Sequence, residues 1–213
     1  MRYSELLDGK SGYKDFLAAC EHARSVSLLG AVDGLLQWDE QTMLPSDGGD
    51  FRAEQVAALA AITHAQRTEE KQGERLQKLK DSPLEKEGPG AVQATIRLLH
   101  SDFQKQSRVP GKLVQELART SIKAQQAWVR AVKASEWKPM VTHLEKMFSL
   151  KRELAACQSP DLDPYDALLD DYEPGARWKA IDTTFSCLRK ALAPLVRGCI
   201  ESSGGPQETV LRG

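Results

Sequence analysis

GYKDFLAACEHARSVSLLGAVDGLLQW, residues 12–38, places Phe16, Ala19, Cys20, Ala23, Val26, Ala31 and Leu35 at intervals of three and four. That spacing gathers apolar side chains onto one face of a helix and has no counterpart in a strand. The same period recurs downstream. Pro45, Gly48 and Gly49 mark a loop. A second helix is expected from Phe51 to His64, with Val56, Leu59, Ala60 and Ile62 inward. Thr68 to Lys80 is almost wholly polar and reads as a solvated helix with little core contact, weakened by Gly73. DSPLEKEGPG reads as a connector. Val92, Thr95, Ile96, Leu99 and Phe103 define a further stripe, and Pro110 suits the first position of the next helix. That helix presents Leu113, Leu117, Ala124, Trp128 and Ala131. Ser135 is expected to cap its successor, which carries Met140, Leu144, Met147, Phe148, Leu154 and Ala155 inward. A short helix from Tyr165 to Asp171 ends at Glu173-Pro174-Gly175. The last begins near Trp178, with Ile181, Phe185, Leu188, Leu192, Leu195 and Cys199 inward and a kink at Pro194. No alternating segment or hairpin signal occurs. The fold class read here is all-α: an irregular array of long, largely antiparallel helices, with 1–213 as a single helical region.

Composition narrows the function classes. The 213 residues are 41% hydrophobic and 28% charged, ordinary globular values. A chain of this length buries about 70% of its unfolded surface without staples. Lys and Arg number 29 against 30 Asp and Glu, a formal net charge of −1. This argues against a polybasic nucleic-acid surface. No apolar run reaches ~18 residues, and MRYSELLDGK has no apolar leader core, so neither a membrane nor a secretory route is expected. Cys20, Cys157, Cys187 and Cys199 form no CxxC pair and read as reduced thiols of a cytoplasmic protein. Cys187 and Cys199 are expected to pack within a helix.

Residues able to do chemistry are scattered. Zinc ligands on one helix stand three or four positions apart. His22, His64, His100 and His143 each lack a His, Cys, Asp or Glu at those positions, and HExxH is absent. They read as surface or hydrogen-bonded helix histidines. Asp163, Asp166, Asp170, Asp171 and Glu173 form an acidic cluster that could hold a cation. The structural reading is stronger: Asp163 caps a helix before Pro164, and the others decorate its exposed side. Trp38-Asp39-Glu40 followed by Gly48-Gly49 offers helix amides to an anion, but GxxxxGK[ST], GxGxxG and GxSxG are all missing.

Several stretches carry a family resemblance. WDEQTMLP, Trp38 to Pro45, followed by Arg52, Ala53, Glu54, Gln55, Leu59 and His64, is similar to the WDxxTxMP…RAEQ…L…H segment of the M32, or carboxypeptidase Taq, metallocarboxypeptidases. RVPGKLVQELA (Arg108 to Ala118), Ala127-Trp128, Lys133-Ala134-Ser135 and HLEKMFSLKRELA (His143 to Ala155) continue in that family's order. PYDALLDDYEPG, Pro164 to Gly175, is the most specific match. Leu44 departs from the family's second Met, and Ala176-Arg177 from its apolar residue and Thr.

The resemblance implies a long-helix fold whose N-terminal helices wall a deep groove. It implies removal of single residues from peptide C-termini, zinc held by HExxH and a downstream glutamate, and homodimers. In that family HExxH, the DxRxT before it and the HES after it lie beyond Leu211-Arg212-Gly213. No catalytic or metal residue is therefore carried over, and substrate-binding residues stay unassigned. The expectation is the N-terminal portion of a metallocarboxypeptidase that binds no cofactor itself and is inactive alone. The alternative is a non-catalytic helical binding or regulatory module that pairs with another subunit.

Overall fold

A computed structural model of the chain describes residues 12–45 and 47–202. Among them every regular element is a helix. They form two compact units divided between Asp161 and Leu162.

The first unit holds α1 (Tyr13–Thr42), α2 (Gly49–Arg67), α3 (Glu70–Lys80), α4 (Pro83–Glu87), α5 (Gly90–Ser107), α6 (Gly111–Ala134) and α7 (Lys138–Gln158). α2 lies against α6 and α6 against α7, while α1 packs on α2 and α3, and α5 on α3 and α4. The largest apolar cluster joins Phe16 and Ala19 of α1 to Leu76, Leu79, Leu84, Val92 and Ile96. Smaller clusters bring Ala53 and Val56 to Ile122, and Val109 and Leu113 to Leu150.

This packing corrects several sequence expectations. α3 is not a solvated helix: Leu76 and Leu79 are 2% and 1% exposed, and Gln72 is buried beside them. Two leucines three apart are enough to seat eleven mostly charged residues, because the charges fan out over the opposite face. Gly73 has a use there. A Cβ at this position would stand 2.3 Å from the tip of the Phe103 ring, so the glycine lets α5 approach α3. The expected connector after Ser82 contains α4, with Pro83 in its first turn and Leu84 buried. Pro110 precedes α6 rather than opening it. Ser135 closes α6 with a left-handed backbone (φ 55°) instead of capping α7, which Trp137 precedes. Trp128 and Phe148, expected inward, are 48% and 59% exposed, while Thr120, Ile122 and Ala127 fill the α6 face.

The second unit holds α8 (Pro164–Leu169) and α9 (Trp178–Glu201). α9 begins where expected and continues on both sides of Pro194. Its stripe does not point into a core: no residue of α9 is buried, and Phe185, Leu188, Leu192 and Leu195 are all exposed. Helical period alone reports a face, not what covers it.

Candidate functional site

The first unit carries an open cleft of about 560 Å³ lined by α1, α2, α6 and α7. Asp33 and Glu40 of α1, His64 and Arg67 of α2 and Lys151 of α7 line it, and Val56, Leu117 and Ile122 supply apolar lining. Burial pushes the Glu40 carboxyl above the usual carboxylate range, opposed by the Arg52 charge.

Arg52 fixes the cleft's α1–α2 corner. Its side chain is almost wholly buried. Its Nη2 donates to Asp39 Oδ2 at 2.5 Å, its Nη1 to the Leu36 carbonyl, and its Nε to Gln55 Oε1 at 3.0 Å. One guanidinium thus holds the last turns of α1 against α2, a task suited to its rigid fork. Sequence reasoning placed Asp39 and Arg52 in the resembling motif but gave them no role. The usable signal was an acid at the end of one helix and an Arg early in the next. On the outer side Arg119 grips Glu54 through two bonds, at 2.6 and 2.9 Å, and also donates to Glu116. Lys146 lies 3.4 Å from Glu116. These bonds hold the Glu54 carboxyl below its ordinary range.

The histidines do not meet. His22 Nε2 donates to the Gln66 carbonyl at 2.9 Å and its Nδ1 lies 3.4 Å from Glu69, pinning α1 to the α2–α3 turn. His100 Nε2 lies 3.1 Å from Gln77 Oε1 on α3. His64 faces the cleft, and His143 is half-buried on α7. Among the described residues no group of three or more His, Cys, Asp or Glu could hold a metal ion. The donor set therefore does not fit a zinc site, which needs three or four converging ligands.

Burial, then the nearby Lys80 charge, pushes His100 below the ordinary histidine range, against the pull of Asp81. A depressed folded value means that neutral His100 contributes stability above pH ~6.5, lost as pH falls through the folded value. Melting temperatures between pH 7.5 and 5.5 should therefore fall more steeply for the native chain than for His100→Gln, which keeps a polar partner for Gln77. Equal slopes would refute this.

The acidic cluster has a backbone function. Asp163 Oδ1 accepts the Tyr165 N–H at 2.9 Å, the expected cap. Asp166 is not on the exposed side: it is buried, and its Oδ1 accepts the Trp178 N–H at 2.7 Å, ordering the first turn of α9. Asp170 Oδ1 accepts the Gly175 N–H at 2.8 Å, where the glycine backbone is left-handed (φ 82°). Asp166 and Asp170 thus stitch the α8–α9 turn to itself, while Asp163 caps α8. Asp171 and Glu173 are exposed. At the Gly48-Gly49 loop, weighed as a weak anion site, the Gln126 side chain packs close: a Cβ on Gly49 would lie 1.9 Å from its amide. Cys187 and Cys199 are exposed rather than packed, and Cys20 and Cys157 are half-buried. Burial pushes the Cys20 thiol up, away from reactivity.

The described residues thus form an all-helical scaffold with an Arg-clamped cleft and a stitched PYDALLDDYEPG turn. The chain belongs to the carboxypeptidase Taq (M32) metallopeptidase family, whose model matches residues 18–212. It is 30% identical over 211 residues to thermostable carboxypeptidase 1 of Thermus thermophilus, covering 95% of this chain and 41% of that protein. Carboxypeptidase 1 of Bacillus subtilis is 26% identical over 190 residues, covering 88% and 37%. The M32 carboxypeptidase of Deinococcus radiodurans R1 superposes with a TM-score of 0.71 at 28% identity, over 91% of this chain and 38% of that one. The BsuCP crystal structure gives 0.81 at 23% identity, over 92% and 39%, a likeness of fold. The chain spans about two-fifths of the length of the curated relatives it matches. No described helix is long and apolar enough to cross a membrane.

Proposed function

We propose that these residues form the helical wall of a metallocarboxypeptidase that releases C-terminal residues from peptides, and that they do not hydrolyse peptides unaided. The observation that carries this reading is a pairing. The family model matches residues 18–212, yet HExxH is absent from the sequence and the described His, Cys, Asp and Glu side chains do not converge. Zinc belongs to complete members, and no hydrolytic step is assigned to the residues described here. Their part is shape: α1, α2, α6 and α7 offer a cleft with Arg67 and Lys151 in its lining for a peptide to lie against. A cytoplasmic setting and a homodimer belong to the same proposal.

The test is the 213-residue chain itself, incubated with zinc and a short peptide, with released amino acid measured with and without a chelator. Release no higher than the buffer blank is the expected result. Chelator-sensitive release would overturn the proposal. A second reading, a non-catalytic module that pairs with another subunit, is favoured by the exposed apolar face of α9.

A further inference from the structure

Four helices of the first unit enclose a second cleft. α1 packs on α2 and α3, α3 packs on α5, and α5 packs on α2. The cluster around Ile96 joins α1 to α3, α4 and α5. Beside that cluster lies a cleft of about 600 Å³, the size of a small-molecule site. Val26 of α1, Leu76 of α3 and Leu99 and Phe103 of α5 give it apolar walls. Among the described lining residues, Arg67 and Asp102 are the two with a full charge; His22 is already engaged by the Gln66 carbonyl and Glu69.

Arg67 and Asp102 face each other without closing. Arg67 Nη2 lies 3.6 Å from Asp102 Oδ2, longer than a charge-assisted hydrogen bond, and the two side chains are 41% and 46% exposed. A pair this open contributes little to folding, and each partner keeps further donors or acceptors to offer.

That pattern selects a ligand. A carboxylate alone would meet the like charge of Asp102, and an amine alone that of Arg67. A free amino acid carries both signs. Its ammonium and carboxylate stand about 3 Å apart across one Cα, close to the 3.6 Å between Arg67 and Asp102. Laid alongside, the ammonium meets Asp102 and the carboxylate meets Arg67, while the protein's own pair stays intact. One more residue moves the two ligand charges apart by about 3.8 Å, so a peptide loses the match. The apolar walls favour an apolar side chain. We infer that this cleft binds a free apolar amino acid, held by Arg67 and Asp102 with its side chain against Leu76, Leu99 and Phe103. The inference stands apart from the function proposed above, whose products are nevertheless of the same chemical class.

Titrating L-leucine into the 213-residue chain, followed through backbone-amide NMR shifts, tests it. The expected result is saturation with a Kd of about 1 mM or tighter. The shifted amides should lie in residues 23–31 and at Leu99, Asp102 and Phe103. Glycine, which lacks the side chain, should bind about tenfold or more weakly. So should leucinamide, 4-methylpentanoate and the dipeptide leucylglycine, which lack in turn the carboxylate, the ammonium and the spacing; each loss is worth about tenfold or more. This ligand series needs no variant to fold. Asp102 lines this cleft and not the one beside α6 and α7. Asp102→Asn keeps its shape, and should weaken L-leucine about tenfold or more. No saturable shift at about ten times the expected Kd overturns the inference. So do shifts confined to Glu40, Gln125 and Lys151, which would put the ligand in the other cleft. Binding of 4-methylpentanoate or leucylglycine as tight as that of L-leucine also overturns it, because the site would then read an acid or a peptide. The titration reads no hydrolysis. Its failure and that of the functional proposal are therefore separate results.

Discussion

Ile96→Ala is expected to lower the stability of the first unit by about 3–4 kcal/mol, the range for removing a fully enclosed branched side chain. Ile96 is 0% exposed and sits among Phe16, Ala19, Leu76, Leu79, Leu84 and Val92. Those neighbours come from α1, α3, α4 and α5, so closing the cavity would require four helices to shift together. Interiors are too densely packed for such collapse to be free. Ile96→Val, which removes one methylene, should cost about 1 kcal/mol. Urea melts followed by far-UV circular dichroism provide the measurement, with the alanine midpoint expected roughly 1–2 M lower. A midpoint shared by the alanine and valine variants would show that the cluster is not closed.

Arg52→Ala should cost about 2–3 kcal/mol. The removed guanidinium leaves the Leu36 carbonyl, Gln55 and Asp39 without their donors. Breaking a fully buried ion pair costs more, but Asp39 is 38% exposed and water will take part of its charge back. Arg52→Lys keeps the charge and loses the fork, and should recover less than half of the loss. The local readout is sharper than the global one. Amide exchange over residues 36–42 should quicken in Arg52→Ala and leave α5 untouched, because the clamp is what joins the last turns of α1 to α2. Unchanged exchange there would remove Arg52 from that role.

How far the sequence could be read depended on how local each cause was. Val92 and Ile96 announced α5 because one helical period gathers them. Pro164 after Asp163 announced α8 because capping is settled within three residues. The helix α3 was read, but its burial escaped because Leu76 and Leu79 are lost among charges, and what seats them lies on α1 and α5. Trp128 and Phe148 were read inward on spacing alone, yet Ala127 and Ile122 hold that ground on α6 and Leu150 and Ala155 on α7. Asp166 was read as surface because the amide it receives is twelve residues away, across a turn. For Arg52 the sequence offered only an acid ending one helix and an Arg early in the next, since its partners at 36 and 39 come together with it only once α1 folds back on α2. The resemblance carried family membership past these errors, because it needs ordered residues rather than correct faces.

The turn between α8 and α9 has one more consequence. Asp166 and Asp170 are spent on main-chain hydrogens, so this part of PYDALLDDYEPG answers to architecture. A descendant that had abandoned peptide cleavage would still need those letters to keep its shape. Recognition through them reveals shared architecture and ancestry.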